Sequence, residues 1–275
     1  MVVDQGSEAK AEHVFLERVV PGESDTSLYF QHLERYRFAS RFVLGRDLLD
    51  VACGCGYAAP LLCGAGARSY LGVDISVEAI ALAEARYRTC DRIRFLCDDA
   101  CLLSRMNDRT VDVAISFETV EHLDRPRSFL ANVHRVLRRE GLLVISTPNR
   151  YLVSPGNRLE DTPANPHHFR EWNKPEFLRL LEEFFEVRGL YGQGIYPAWR
   201  SRVLHHAGKR GWMRWVAQGC AMTRRVQSRL SSPQERPVCR DLHRVQPLHR
   251  WEEPLYLVCV AAPRAAAGSR AAKVH

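Results

Sequence analysis

Two short segments of the chain carry side chains that can activate a hydroxyl group or hold a metal ion. In the first, Glu118, Glu121 and His122 follow an apolar run, and the second contains His167 and His168. If the first segment is helical, the spacing of i, i+3 and i+4 places its two carboxylates and its imidazole on one face. Such a group could bind a divalent cation, Mg²⁺ or Mn²⁺, with a fourth ligand from the second segment.

The same side chains also allow chemistry without a cation. His122 could then act as a general base, or it could serve only as a structural hydrogen-bond donor. The candidate catalytic residues are therefore His122, Glu121 and His168, and the sequence leaves the participation of a metal open.

A glycine-rich turn provides a candidate cofactor site. Gly54 and Gly56 follow the apolar run that ends at Val51, and the next apolar run ends at Asp74. A strand, a glycine turn and a helix let the backbone approach a ligand closely, and an acid about 20 residues later can accept hydrogen bonds from ribose hydroxyls. The spacing Gly54-x-Gly56-x-x-Ala59 also fits a dinucleotide such as NAD, with its pyrophosphate on the helix N-terminus.

The acidic residues distinguish between these two kinds of cofactor. Asp50 lies at the end of the first predicted strand, where a carboxylate would repel a pyrophosphate but attract the ammonium and sulfonium groups of S-adenosylmethionine. A further pair, Asp98 and Asp99, follows a later predicted strand and could meet the adenine amino group. Acids at three successive strand ends therefore favour S-adenosylmethionine.

Strand-like and helix-like patterns alternate along the chain. After an amphipathic helix over 28–44, whose Tyr36 either lines the site or packs in the core, the sequence predicts strands at 47–52, 69–73, 92–97, 111–117 and 141–147. It predicts helices at 57–65, 77–88 and 126–139, then a helix from Lys174, a strand over 186–191 and a last strand over 255–261. This alternation predicts an α/β fold with a doubly wound, mostly parallel, seven-stranded Rossmann-like sheet.

The length of 275 residues favours one main domain. We predict a polar arm at 1–27, the main domain at 28–262 with an insertion at 193–252, and a disordered tail at 263–275. The nine cysteines show no paired spacing and indicate buried thiols of a reducing compartment. Because no apolar stretch reaches the roughly 18 residues that span a bilayer, and the N-terminus is unlike a secretory signal, we expect a cytoplasmic protein.

Positive charge is concentrated in the predicted insertion. The net charge is +7, yet the segment between Trp199 and Arg250 alone contains 12 Lys or Arg and only two acids. Trp212 and Trp215 fall near one face of a predicted helix in this segment. That helix could lie on an anionic membrane surface, close over an acceptor, or simply pack on the sheet edge. We expect a small-molecule or lipid-linked acceptor, with peripheral contact to the inner membrane face as a hypothesis.

The glycine turn and the strand ends resemble the class I S-adenosylmethionine-dependent methyltransferases. The matching segments are 50–56, 72–76, 98–100 and 112–117. This resemblance implies that Asp74 binds the ribose diol, that Asp99 binds the adenine N6, and that residues 116 and 117 line the cofactor near its methyl group. Cys55 stands where the family more often has a small hydroxyl residue. The implied cofactor-binding residues are Tyr36, Asp50, Ala52, Gly54, Gly56, Asp74, Ile75, Asp98, Asp99, Ala100, Ser116 and Phe117.

A second resemblance concerns the E-x-x-E-H pattern over 118–122 and the later histidine before Glu171-Trp172. It is similar to metal-dependent methyltransferases that act on the 3′-terminal ribose of small RNAs, and to the ubiquinone-pathway O-methyltransferases. The resemblance implies His168 as the metal-binding histidine, with His167 as the alternative. A metal bound to two vicinal oxygens would lower the pKa of the acceptor hydroxyl and orient it. The implied metal ligands are Glu118, Glu121, His122 and His168.

These resemblances imply methyl transfer from S-adenosylmethionine to an oxygen. We rank a sugar or glycolipid hydroxyl first, because segments 146–150 and 165–168 look like bacterial methyltransferases of glycan assembly, and a phenolic small molecule remains open. One alternative is 2′-O-methylation of an RNA 3′ end, which the basic insertion suggests although no RNA-binding motif accompanies it. A second alternative is a dinucleotide-dependent oxidoreductase that uses NAD and transfers no methyl group.

Overall fold

The computed structural model describes residues 19, 21, 26–197, 244–248 and 252–264. The basic helix that the sequence predicts within 199–231 lies outside these residues, as do the polar arm up to residue 18 and the tail from residue 265. Within the described ranges no helix is both long enough and apolar enough to cross a membrane.

A mixed sheet forms the centre of the molecule and confirms the predicted α/β fold. The strands lie in the order β3-β2-β1-β4-β5-β8-β6-β7. The first five strands of this order are parallel, whereas β8 is antiparallel to both β5 and β6, and β7 is antiparallel to β6. The strands are β1 (Asp47–Val51), β2 (Ser69–Asp74), β3 (Ile93–Cys97), β4 (Val111–Phe117), β5 (Leu137–Pro148), β6 (Phe185–Pro197), β7 (Gln246–Pro247) and β8 (Glu252–Pro263).

Over the residues described, the sheet has eight strands in place of the predicted seven. The additional strand, β7, contains only Gln246 and Pro247, which pair with Gly192 and Tyr191 of β6. A strand of two exposed residues has no alternation of apolar and polar side chains, so its sequence carries no strand signal. Its position at the sheet edge is the place where a proline is tolerated in a sheet.

Within the described ranges, six helices connect the strands or precede them, and local sequence explains where several begin. Ser76 accepts a hydrogen bond from the Ala79 N–H and caps α3. Asn173 and Glu176 form a reciprocal capping box at the start of α6. The helices are α1 (Thr26–Ala39), α2 (Ala59–Gly64), α3 (Val77–Tyr87), α4 (Pro126–Val136), α5 (Arg150–Val153) and α6 (Lys174–Glu182), with 3₁₀ turns at Ser40–Phe42 and Val120–His122.

Two predicted boundaries are wrong. We expected α4 to continue to residue 139 and to stop before Gly141, but the helix ends at Val136 and β5 begins at once with Leu137, which pairs with Val111 of β4. We expected the strand that follows α6 to end at Tyr191, but β6 continues to Pro197 along β8. The margins of the predicted insertion therefore belong to the sheet, because strand pairing overrides local pattern.

Apolar side chains cover both faces of the sheet, as a doubly wound fold requires. On one face Leu49 packs in a cluster with Phe129 of α4 and Phe177 of α6. On the other face Leu48 packs in a second cluster that includes residues of α1, α2 and α3. Each fully buried side chain of this size contributes roughly 1.5–3 kcal/mol. This packing fixes the strands so that the loops after β1, β2, β4 and β5 emerge at one edge, where the candidate residues lie.

Candidate active site

The turn after β1 adopts a backbone conformation that glycine favours. Gly54 and Gly56 have φ angles of +56° and +76°, and Ala52 is also left-handed at +60°. The N–H of Gly54 donates to Oδ2 of Asp74, 2.9 Å away, which ties the turn to the end of β2. The turn thereby presents backbone at the carboxyl edge of the sheet, as we predicted for a nucleoside-bearing cofactor.

Gly56 also lets the structure behind the turn pack closely. A Cβ at this position would lie 2.5 Å from Cε1 of Phe95 and 2.8 Å from Cβ of Ala83. Phe95 belongs to β3 and Ala83 to α3, so any side chain here would push helix and strand away from the loop. Both the left-handed φ and the lack of space therefore require glycine.

Asp50 lies deeper than the sequence suggested. Its carboxylate is fully buried and accepts hydrogen bonds from the hydroxyls of Tyr36 at 3.1 Å and Tyr70 at 2.7 Å. Burial raises the pKa of Asp50 to about 7, the charge of Asp74 adds to this rise, and the two tyrosine hydrogen bonds oppose it. Each carboxylate oxygen already accepts one hydrogen bond from within the core, and the direct contact of Asp50 with the cofactor stays a prediction. A positive charge nearby would still favour the ionised form.

Tyr36 connects this buried carboxyl to the wall of the candidate cofactor site. Its ring lies 5.0 Å from that of Phe117 and 5.7 Å from that of Tyr57, each in an edge-to-face arrangement. Phe117 itself is buried at the end of β4, and the neighbouring Ser116 is fully buried with an Oγ that has no hydrogen-bond partner among the described residues. Tyr36 is itself buried in the second core cluster, so its position in the core is observed, and its contact with the cofactor stays a prediction.

The remaining acids occupy different positions. Asp74 accepts the Ser76 N–H with Oδ1 at 3.0 Å, in addition to its contact with Gly54. Asp98 accepts from the Ser104 hydroxyl and from the N–H groups of residues 99 and 105, so it organises the loop after β3. Asp99 binds the Cys101 N–H and Arg125 and is less buried. Ile75, beside Asp74, is 64% exposed, and Ala100 is half-buried.

Glu121, His122 and His168 converge into one cluster. One potential ligand atom from each side chain lies within 4.8 Å of the other two. Glu121 and His122 are in the 3₁₀ turn after β4, whereas His168 comes from the loop after β5. The backbone joins the two segments, because the N–H of Phe169 donates to the Glu121 carbonyl at 2.8 Å. The structure thus brings together three of the four side chains that we predicted as metal ligands.

Glu118 stands apart from this cluster. It has a left-handed φ of +52° before the turn begins, so it does not share a helical face with Glu121 and His122. Its Oε1 accepts a hydrogen bond from the Ser146 hydroxyl at 2.6 Å and lies 4.0 Å from Nη1 of Arg35. The helix that we assumed here is wrong, because the chain forms a 3₁₀ turn that directs the carboxylate of Glu118 towards Ser146. The metal contact of Glu118 stays a prediction.

Hydrogen bonds define the chemical state of the cluster. Nδ1 of His122 lies 3.1 Å from the carbonyl oxygen of His167, and since a carbonyl only accepts, neutral His122 carries its proton on Nδ1 and a lone pair on Nε2. His167 thus contributes its backbone, and the imidazole of the cluster is that of His168. Oε2 of Glu121 accepts the Thr147 hydroxyl at 3.1 Å, and Oε1 has no partner among the described residues.

The electrostatics of Glu121 suit a cationic ligand. Complete burial, with the charge of Glu118 as a secondary cause, raises the pKa of the Glu121 carboxyl well above its usual value. A buried carboxylate oxygen without a partner is costly unless a proton or a cation satisfies it. One carboxylate and two imidazoles form a ligand set that divalent transition metals accept, so the residues present fit a bound cation.

Sequence reasoning did not single out Arg35. This guanidinium is fully buried, donates from Nη1 to Gln193 at 2.6 Å and stacks over the ring of Tyr256. Its Nε and Nη2 have no hydrogen-bond partner among the described residues. A buried guanidinium with two unpaired nitrogens fits an anionic group, such as the carboxylate of an amino-acid-bearing cofactor. A basic residue on a predicted helix is ordinary, so only the fold distinguishes Arg35 from its exposed neighbours.

Comparison with known proteins identifies the family. A family model described as a methyltransferase domain matches residues 49–145, which include β1, the glycine turn and β4. A probable S-adenosylmethionine-dependent methyltransferase of Mycobacterium tuberculosis is 37% identical over 195 residues, covering 70% of this chain and 68% of the relative. The chain belongs to the class I S-adenosylmethionine-dependent methyltransferases. Its cofactor is S-adenosylmethionine, and this decides against the dinucleotide-dependent alternative.

More distant relatives agree with this assignment. A ubiquinone biosynthesis O-methyltransferase of Glaesserella parasuis is 27% identical over 169 residues, covering 56% of this methyltransferase and 71% of that enzyme. The solved structure of a Thermotoga maritima methyltransferase, described as a possible histamine N-methyltransferase, has a TM-score of 0.55 at 16% identity and covers 94% of this chain and 96% of its own. That likeness supports the fold alone. The methyltransferase spans about two thirds of the length of its mycobacterial relative.

Proposed function

We propose that this methyltransferase transfers the methyl group of S-adenosylmethionine to a hydroxyl oxygen of a sugar or glycolipid, or of a phenolic small molecule. The observation that carries the proposal is the convergence of Glu121, His122 and His168 within 4.8 Å of one another. These side chains follow β4 and β5, whereas the glycine turn follows β1, which pairs with β4. An acceptor bound at the cluster would therefore face the cofactor across neighbouring strand ends.

The chemistry follows from the state of His122. A hydroxyl must lose its proton as its oxygen attacks the methyl carbon, while the carbon–sulfur bond breaks and S-adenosylhomocysteine leaves. His122, with its proton on Nδ1, has an Nε2 lone pair that can take the hydroxyl proton. The charge that develops on the imidazole is favoured by the nearby carboxylate of Glu121 once it is ionised. A deprotonating group of this kind is needed for an oxygen acceptor.

The same cluster supports a metal-assisted form of this reaction. Glu121, His122 and His168 would hold the ion, and bound Mg²⁺ or Mn²⁺ supplies Lewis acidity that lowers the pKa of the acceptor hydroxyl. Oε1 of Glu121, which no described residue hydrogen-bonds, favours this form. In the metal-free form His122 alone removes the proton. The two forms predict opposite results with a chelator, since only the first requires a cation.

The similarity to ubiquinone biosynthesis O-methyltransferases supports an oxygen acceptor and keeps phenols beside sugars. The test is incubation with S-adenosylmethionine labelled on its methyl group and fractionated cell extract, with and without EDTA. We expect label in a glycolipid, sugar or phenol fraction and its loss in the variant His122→Asn, with His134→Asn as a matched histidine control outside the cluster. Label confined to protein or RNA, or equal labelling by both variants, would contradict the proposal.

Membrane contact through the basic segment is a separate proposal, supported by the charge of residues 199–250. Sedimentation with anionic and with neutral liposomes tests it. We expect binding to the anionic vesicles that weakens as salt is added. Equal recovery with both kinds of vesicle would show that the positive charge has another role.

A further inference from the structure

The loop that carries His168 fixes the orientation of an amide beside it. The N–H of His167 donates to Oδ1 of Asn165 at 3.0 Å. The other end of this amide, Nδ2, therefore faces the ring of His168 and lies 3.0 Å from its Nε2. An amide nitrogen only donates hydrogen bonds. Nε2 of His168 must consequently be the acceptor, with its lone pair directed at Asn165.

A carboxylate determines the state of the opposite ring nitrogen. Nδ1 of His168 lies 2.6 Å from Oε1 of Glu171, whose side chain is fully buried. A carboxylate accepts, so Nδ1 carries the proton. The Glu171 contact places a proton on Nδ1 and the Asn165 contact leaves Nε2 without one, so the two together define neutral His168 protonated at Nδ1. The other oxygen of Glu171, Oε2, has no hydrogen-bond partner among the described residues. The contact of Oε1 with His168 is therefore the main interaction of this carboxylate.

We propose that Glu171 is a positioning residue that holds His168 in the Nδ1-protonated form, and that Asn165 occupies the Nε2 lone pair until a cation or an acceptor hydroxyl replaces its amide. This proposal rests on the proposed function, in which the Nε2 lone pair of His168 binds a cation or accepts a hydrogen bond from the acceptor hydroxyl. In metal sites, a carboxylate or carbonyl that accepts from the ring nitrogen not bound to the metal orients the histidine in the same way.

The geometry of the cluster makes this orientation consequential. His122 is held in the same tautomer by the His167 carbonyl, and the two rings lie edge to face with centroids 4.7 Å apart. Both histidines therefore carry the lone pair on Nε2, the nitrogen farther from the backbone. If His168 changed tautomer, it would present an N–H to the cluster, and it could neither bind a cation nor accept a proton there.

Nitrogen-15 NMR of the full chain, labelled at histidine, tests the positioning role directly. We expect the wild-type His168 signals, assigned by their loss in His168→Gln, to show a protonated Nδ1 and an unprotonated Nε2. In Glu171→Ala the Nδ1-protonated fraction should fall, because only the Asn165 amide then favours it, and in Glu171→Gln both forms should be present, because an amide can accept from Nδ1 or donate to it. The matched control Glu160→Ala, an exposed residue of the same loop, should leave the signals unchanged.

Mn²⁺ affinity, followed by electron paramagnetic resonance, provides the second measurement. We expect Glu171→Ala and Glu171→Gln to weaken Mn²⁺ binding about 10- to 100-fold. Asn165→Ala should strengthen it, because the competing donor is gone. Unchanged binding of S-adenosylhomocysteine would show that each variant is folded, and if Glu171→Ala fails this check the Gln variant decides.

A wild-type His168 protonated at Nε2, or a tautomer that does not respond to Glu171→Gln, would overturn the positioning role. Weaker Mn²⁺ binding by Asn165→Ala would overturn the role of the amide. Methyl transfer to the wrong acceptor class, with the tautomers as expected, would instead reject the proposed function alone.

Discussion

The variant Asp50→Asn tests whether a buried carboxyl group opposes folding at neutral pH. Asp50 is fully buried between the hydroxyls of Tyr36 and Tyr70. Burial, reinforced by the charge of Asp74, raises its pKa from 3.8 to about 7. Below a pH of about 4 the carboxyl is protonated in the folded and the unfolded chain, so its ionisation has no effect on stability.

Above this pH the unfolded chain releases the proton first. The folded protein then holds more protons than the unfolded chain, and the free energy of unfolding falls as the pH rises, until the folded-state carboxyl also ionises near pH 7. The difference between 3.8 and about 7 corresponds to about 4 kcal/mol. Because Asn does not ionise, we expect the stability of Asp50→Asn relative to the wild type to increase by up to that amount between pH 4 and pH 8.

Urea denaturation of the ligand-free proteins at intervals across this pH range measures the effect. The control is Asp91→Asn, the same replacement at an exposed position. A stability difference between Asp50→Asn and the wild type that stays constant from pH 4 to pH 8 would refute the reasoning. It would mean that Asp50 ionises as readily in the folded protein as in the unfolded chain.

Three further substitutions give separate expectations. Gly56→Ala should destabilise the protein by roughly 1–3 kcal/mol in urea denaturation, because its Cβ would lie 2.5 Å from the ring of Phe95. The control Gly64→Ala should be neutral or stabilising, because, apart from the adjacent chain, no described atom lies within 4 Å of the added Cβ. Arg35→Gln should weaken the binding of S-adenosylhomocysteine, measured by calorimetry, about tenfold or more. The control Arg37→Gln, at an exposed arginine of the same helix, should leave the affinity unchanged. Equal affinities of the two variants would exclude Arg35 as an anion-binding group. Tyr70→Phe should lower the free energy of unfolding by about 1–3 kcal/mol, and by more at pH 8 than at pH 4, because the lost hydrogen bond stabilises the ionised form of Asp50. A loss of stability that is larger at pH 4 would contradict this.

The order of elements could be predicted because each depends on a local pattern. The apolar run before Gly54 predicted β1, and Pro126 and Lys174-Pro175 predicted the starts of α4 and α6. The extents of β5 and β6 could not be predicted in this way. Their additional residues pair with β4 and β8, and pairing between distant segments leaves no mark on local periodicity.

In the candidate site, too, local sequence predicted some features and contacts between distant segments determined others. The spacing of Glu121 and His122 placed them together, since residues of one turn remain neighbours in almost any compact conformation. The separation of Glu118 from them could not be foreseen, because it depends on a left-handed backbone and on Ser146 of β5. Arg35 was missed for a related reason: only the packed sheet and Gln193 bury its charge.

Local sequence favoured S-adenosylmethionine over a dinucleotide and placed acids at the strand ends, because a glycine turn and the acids that follow it are short-range patterns. The intramolecular partners of each acid depend on the packed fold. Asp50 and Asp74 occupy equivalent positions in the sequence, each near the end of a predicted strand. In the structure Asp50 accepts hydrogen bonds from Tyr36 and Tyr70 in the core, whereas Asp74 accepts one from Gly54 and holds the turn. The environment of a carboxylate, and with it the pKa and the role, is set by the residues that the fold brings to it from elsewhere in the chain.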